Sequence, residues 1–234
     1  MHLLSGRAAY AALRQSGLGQ DDHGQGETVF VSGGAGAVGS IAGQIARLLG
    51  AGRVIGSTGS PAKAERLVRE LGYDAAVVRG GDTPFADQLA QAAPDGLDVV
   101  IDNVGGEQLH AAVAAARPGA RIILVGSLAS QLAPGAAGAG APVELDTFPL
   151  ILRHITLRGL DNTGTDDWTE PFGAWLRAGQ ITAPLVRVPR GVCGSTSGVV
   201  ERRLTALNDE IARLTRLRDG LAARTRASAP SAAR

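Results

Sequence analysis

Two hydrophobic rhythms alternate along the first half of this chain. Short unbroken apolar runs stand at 27–32 (ETVFVS), 53–58 (RVIGST), 75–78 (AAVV), 97–102 (LDVVID) and 121–126 (RIILVG). Runs without polar alternation predict strands covered on both faces, the habit of a parallel sheet. Between them the period lengthens. AVGSIAGQIARLLG (37–50) puts Val38, Ile41, Ile45, Leu48 and Leu49 on one helical face and stops at Gly50. SPAKAERLVRELG (60–72) opens on Ser-Pro, a cap and first-turn pair, and ends at Gly72. A further helix is expected from Phe85 to Ala93, and GEQLHAAVAAARPG (106–119) reads as a helix closed by Pro-Gly. Strands separated by helices of this length predict an α/β fold, a doubly wound parallel sheet with helices on both sides.

The second half is less regular. Residues 129–143 (ASQLAPGAAGAGAPV) read as a mobile small-residue linker. DTFPLILRHITLRGL (146–160) predicts a helix and then a strand, DDWTEPFGAWLRAG (166–179) a helix carrying both tryptophans, and APLVRVP (183–189) a last strand. From Val200 a stripe of Val200, Leu204, Leu207, Ile211, Leu214 and Leu221 follows 4-3 spacing, interrupted by Arg218 on the seam. Charges flank it, which predicts an amphipathic helix over 200–225, either paired with a second copy as a short coiled coil or folded back on its own domain. The expected organisation is therefore a lead-in helix and linker (1–26), a nucleotide-binding domain (27–190), a linker (191–199), that helix, and a disordered end (226–234).

Chemistry concentrates where the first strand meets its helix. Gly34, Gly36 and Gly39 form Gly-x-Gly-x-x-Gly after a strand and at the start of a helix, the context that makes this spacing informative. The first glycine permits the tight turn, the second lets backbone approach a diphosphate, and the third allows close helix–strand packing. Free N–H groups at the helix N-terminus attract phosphate. A Rossmann-type dinucleotide site is expected, although the same glycines also serve a bare turn. An NAD site usually has a carboxylate at the end of the second strand to hold the ribose 2′-hydroxyl. Here that end reads Gly56-Ser57-Thr58-Gly59-Ser60, and Lys63 follows one turn into the helix. Hydroxyls and a cation suit a 2′-phosphate, so the expected cofactor is NADP(H). Lys63 is the lone lysine of the chain; an ordinary exposed helix lysine remains the other reading.

Composition narrows the classes. Across 234 residues the net charge is +1 and aromatics are 3%, which disfavours both an electrostatic nucleic-acid surface and a base-stacking one. Charge is uneven: residues 201–234 hold eight arginines against four acids. No helix-turn-helix precedes them, so DNA contact is not expected. No run approaches the ~18 apolar residues of a membrane span, and the start lacks the apolar core of a secretory signal. A cytoplasmic protein is expected. A single cysteine, Cys193, excludes an internal disulfide framework. His110 and His154 are expected within helical segments, and like His2 and His23 they lack a second ligand at metal spacing, so no metal is expected.

Four segments carry a resemblance: GRAAYAAL (6–13), ETVFVSGGAGAVGSIAGQIARLLG (27–50), GSPAKAERLVRELGYDAAV (59–77) and DGLDVVIDNVGGE (95–107). Together they resemble the medium-chain dehydrogenase/reductase superfamily, within it the zinc-independent, NADPH-dependent branch of prostaglandin reductases, alkenal double-bond reductases and quinone oxidoreductases. The resemblance covers roughly residues 4–188. It implies that Gly36, Ala37, Val38 and Gly39 hold the pyrophosphate, and that Lys63 with Ser60 meets the 2′-phosphate. It further implies that Asn103 lines the groove and that Val125, Gly126, Ser127 and Leu128 lie beside the nicotinamide. The activity implied is hydride transfer from NADPH to an activated C=C bond of an enone or enal, or to a quinone, without a metal.

The departures from that pattern are specific. The family's N-terminal, partly β-barrel domain and its closing segment are not in this sequence. Gln131 and Leu132 stand where the branch commonly has a tyrosine-asparagine pair, and Arg79 replaces a tyrosine expected near the 2′-phosphate. Ser5 stands near a zinc-ligand cysteine of metal-dependent relatives. The C-terminal helix resembles instead the dimerisation helix of MerR-type regulators. Two functions are expected on this basis: an NADP(H)-dependent oxidoreductase acting on a small carbonyl or quinone substrate, or a non-catalytic NADPH-binding module dimerised through 200–225.

Overall fold

Leu97, Val99, Val100 and Ile101 are fully buried in one strand, and a sheet covered on both faces is what such a strand requires. The computed structural model describes residues 2–20, 26–126, 143–161, 163 and 168–182. Helix α1 (His2–Gln15) leads into β1 (Thr28–Val31), α2 (Gly39–Leu48), β2 (Arg53–Thr58), α3 (Pro61–Glu70), β3 (Ala75–Val78) and α4 (Phe85–Ala92). Then follow β4 (Leu97–Asp102), α5 (Gly106–Ala115), β5 (Ala116–Leu124), α6 (Thr147–Leu152), β6 (Thr156–Gly159) and α7 (Thr169–Arg177). The strands form one sheet in the order β3-β2-β1-β4-β5-β6, and every pairing is parallel. The doubly wound α/β architecture expected from the alternating rhythms is the one observed.

Side-chain alternation divides the core in two. Val29 and Val31 of β1 face a layer built with Ala9, Ala12 and Leu13 of α1, Ile41 and Ile45 of α2, and Phe172 of α7. Phe30 faces the opposite layer, with Phe85 and Leu89 of α4 and Leu109, Ala112 and Val113 of α5. Helix α1 is thus part of the core: at Gly6 a methyl would come 2.7 Å from the Phe172 ring. The order reverses at β1, whose neighbours β2 and β4 lead away in opposite directions. Ligands of open α/β sheets bind outside the carboxyl ends of the strands at such a switch point.

Three local expectations are corrected. The helix expected over 106–119 stops at Ala115, and Ala116 is already extended. Pro118 explains this, since its ring disfavours helical backbone at the preceding Arg117. The freed segment joins β5: Leu97 pairs with Ala116 but Val99 with Arg121, so Arg117-Pro118-Gly119-Ala120 forms an irregularity in the strand. His154 is not helical; it follows α6 with φ of 53°, exposed. Trp168 caps α7 rather than lying inside it. The last strand expected at 183–189, the 200–225 helix and all but the final residue of the linker at 129–143 lie outside the described residues. No helix among the described residues is long and apolar enough to cross a membrane.

Candidate functional site

The site begins where β1 runs out. Gly33, not Gly34, takes the left-handed conformation of the turn, with φ of 64°. Its carbonyl accepts the Gly36 amide at 2.9 Å, which folds the loop back on itself. Gly34 serves packing instead, because a methyl there would meet Leu67 Cδ1 at 3.2 Å and Gly56 Cα at 3.3 Å. A methyl at Gly39 would overlap the Gly33 carbonyl oxygen and stand 2.6 Å from Gly34 Cα. The third glycine therefore has the role expected of it. Gly36 and Ala37 are exposed at the rim.

Helix α2 starts without a side-chain cap. The amides of Ala37, Val38 and Gly39 find no acceptor among the described residues, while Ser40 N–H bonds back to Gly36 O at 2.9 Å. Uncapped amides at an open helix N-terminus carry partial positive charge and form a site for an anion.

Two buried serines fix the loop from below. Ser57 of β2 accepts the Gly33 amide at 2.8 Å and donates to Gln108 Oε1 on α5 at 2.5 Å. Ser32 donates to Asp102 Oδ1 at 2.7 Å and accepts the Asn103 and Val104 amides at 2.8 and 3.1 Å. Asp102 in turn accepts the Gly105 amide on both oxygens, at 3.1 and 3.0 Å. This buried carboxylate ties the ends of β1 and β4 to the Asp102–Glu107 bend. Asp102→Ala would strand several buried donors, and a loss on the order of 3 kcal/mol of unfolding free energy is expected by urea denaturation.

Asn103 donates from Nδ2 to Ser32 O at 2.8 Å, which orients its side chain at the crevice. The end of β5 comes alongside: Val125 N–H donates to Asp102 O at 2.7 Å, and a methyl at Gly126 would approach Asn103 O to 3.0 Å. Asn103, Val125 and Gly126 are therefore brought together. Ser127 and Leu128 lie outside the described residues, as do Gln131, Leu132 and Cys193.

At the far end of the crevice β2 delivers Gly59 and Ser60. Ser60 occupies the cap position of α3 but its hydroxyl makes no cap bond, contrary to the Ser-Pro expectation. Lys63 and Arg79 are both exposed, and neither forms a salt bridge among the described residues. The acids of α3 are committed to its own arginines, Glu65 to Arg69 and Glu70 to Arg66. Arg79 N–H donates to Thr58 O at 2.9 Å, and its Nη2 lies 3.9 Å from where a Gly59 Cβ would stand. A strand end that carries no carboxylate is thus followed by Lys63 in the first turn of α3 and approached by Arg79, neither with a counter-charge among the described residues.

Ser32, Gln108 and Tyr73 belong to this site and were not singled out in sequence, while Ser57, read there among the hydroxyls suited to a 2′-phosphate, is buried and committed to Gly33 and Gln108 instead. Tyr73 left one trace there: Gly43 within a helical run and Gly56 within a strand serve no turn, the mark of a close approach by something bulky. Both face the Tyr73 ring. No group of three or more His, Cys, Asp or Glu side chains that could hold a metal ion occurs among the described residues.

Residues 37–177 match the family model described as zinc-binding dehydrogenase. The chain is 32% identical to the NADP-dependent oxidoreductase RED1 of Cochliobolus heterostrophus over 200 residues, covering 81% of this chain and 53% of RED1. It is 34% identical to the NADP(+)-dependent 2-alkenal reductase of Nicotiana tabacum over 135 residues, covering 58% and 38% respectively. Among solved structures, CurA of Vibrio vulnificus in complex with NADPH superposes with a TM-score of 0.63 at 31% identity, over 76% of this chain and 52% of that one. The chain thus spans about half the length of RED1 and CurA.

Proposed function

Since this chain belongs to the medium-chain dehydrogenase/reductase superfamily, matching its zinc-binding dehydrogenase domain over most of its described length, we propose that the crevice holds NADP(H) and serves an oxidoreductase. The arrangement at the adenosine end carries the reading. Arg79 reaches to the space over Gly59, Lys63 follows Ser60 in the first turn of α3, neither has a counter-ion among the described residues, and the strand end has no acid to receive a 2′-hydroxyl. RED1 and the tobacco reductase are named as NADP-dependent, and CurA was solved with NADPH, which agrees.

The residues present fit this cofactor. Ala37, Val38 and Gly39 would give their amides to the diphosphate, and the absence of a side chain at Gly36 leaves room for it. Lys63, Arg79 and the Ser60 hydroxyl would take the 2′-phosphate. Asn103, Val125 and Gly126 would border the reactive end of the crevice. When bound, NADPH supplies a hydride; what this chain does is hold and orient, through backbone fixed by Ser32, Asp102 and Ser57. No step is assigned to a metal.

Fluorescence titration tests the cofactor assignment. NADPH is expected to bind at least about tenfold tighter than NADH, as a charged hydrogen-bonded phosphate allows. Equal affinities, or a preference for NADH, would refute it.

For the acceptor we propose an activated C=C bond of an enone or enal, or a quinone, supported by the likeness to a 2-alkenal reductase. Consumption of NADPH in the presence of a 2-alkenal or a simple quinone is the expected result. A second reading draws on the amphipathic stripe of Val200, Leu204, Leu207, Ile211, Leu214 and Leu221. It is an NADPH-binding module without turnover, dimerised through the 4-3 stripe of 200–225. NADPH binding without turnover, together with a change from dimer to monomer by sedimentation equilibrium when the chain ends at Pro189, selects it over the first.

A further inference from the structure

We propose that Tyr73 is a positioning residue for the diphosphate loop, holding the first turn of α2 through a single buried hydroxyl. The inference rests on the reading that this loop binds a dinucleotide.

Tyr73 follows Gly72, whose φ of 76° turns the chain out of α3 and towards β3. The ring is 3% exposed and fills a slot between α2 and β2. A methyl at Gly43 would overlap it, and one at Gly56 would stand 2.7 Å from Cε1. Two glycines with no turn to make are thus accounted for by one aromatic ring. The hydroxyl donates to the carbonyl of Gly39 at 2.6 Å. Burial pushes the phenol pKa well up, so the group stays protonated as a donor.

Gly39 is the first residue of α2, and its amide is one of the three left without an acceptor. The bond from Tyr73 therefore lands on the residue at the anion-binding end of the helix. The next residue repeats the device at the other end. Asp74 Oδ2 accepts the Val54 amide of β2 at 2.7 Å and pairs with Arg47 in the last turn of α2. Residues 73 and 74 thus pin both ends of α2 to the β2–β3 edge, and Arg79 leaves that same edge a few residues later. A helix held only by apolar packing can slide slightly along its axis. Bonds at both ends fix that coordinate, and with it the aim of the Ala37–Gly39 amides at the diphosphate.

Packing and hydrogen bond are separable here. In Tyr73→Phe the ring still fills the slot, and only the donor to Gly39 O is lost. Ligand binding to the unaltered chain and to Tyr73→Phe is compared for NADPH, NADH and adenosine 2′-monophosphate. The first two span the diphosphate loop, and the third reaches only the Lys63 and Arg79 end. Expected is a loss of about fivefold in affinity for both dinucleotides, the size of one net hydrogen bond. The NADPH-to-NADH ratio and the affinity for adenosine 2′-monophosphate stay as they were. A purely structural tyrosine would weaken all three ligands together or none, and either result overturns the proposal. If the unaltered chain binds none of the three, the cofactor reading itself fails, an outcome distinct from unaltered binding by the variant.

Discussion

Gly59→Asp is expected to abolish the preference for NADPH, lowering its affinity by about a hundredfold while leaving NADH binding the same or tighter. The position tolerates a side chain. A methyl there meets nothing closer than Arg79 Nη2 at 3.9 Å, and the backbone is not left-handed. A carboxylate at this point would pair with Arg79, removing the cation that a 2′-phosphate needs, and would repel the phosphate directly. It would also place an acid at the end of β2, where a ribose 2′-hydroxyl is ordinarily received. Arg79→Ala removes only the attraction, so a smaller effect of about tenfold on NADPH and none on NADH is expected. Parallel fluorescence titrations of both cofactors check this. An unchanged NADPH-to-NADH ratio in Gly59→Asp would show that the discriminating contact lies elsewhere.

A large loss of stability is expected at Gly39. Every atom that a Cβ would strike there is backbone: the Gly33 carbonyl, and Gly34 Cα at 2.6 Å. Neither can rotate away as a side chain could. Gly39→Ala must push α2 off the end of β1 or open the Gly33 turn, at a cost on the order of 3 kcal/mol. Dinucleotide binding should fall below detection with it, since the three free amides lose their common aim. Gly36→Ala is the informative contrast. Its Cβ would have one close neighbour, Gly33 O at 3.1 Å, and the residue is exposed, so stability should change by less than about 1 kcal/mol. Affinity should still fall, because the methyl occupies the space proposed for the diphosphate. Urea midpoints and titrations on both variants separate the two roles. Equal stability losses would show that the two glycines are not distinct.

Some of this site is local in origin and some is not. The β1–loop–α2 unit was legible because its signals lie within about twenty residues of one another, in a strand period, a glycine spacing and a helix period. The turn glycine was misassigned by one position, since spacing alone does not tell which glycine carries positive φ. The helix over 106–119 was drawn too long because its alanine run has strong helix propensity; Pro118 and pairing with β4 claimed its end for the sheet.

By itself, the sequence determined the alternation of strand and helix, the parallel sheet, the glycine loop between β1 and α2 and the missing acid after β2. Each follows from neighbours along the chain, where backbone geometry and hydrophobic period act directly. Only the tertiary structure decided that Ser32 would clasp Asp102, that Ser57 would hold Gly33 against Gln108, and that Tyr73 would fill the slot left by two glycines. The hydrogen-bonded partners stand between 24 and 70 positions apart in sequence. Hydroxyl–carboxylate and ring–glycine complementarity has no period, and it appears only once packing has brought the strand ends together.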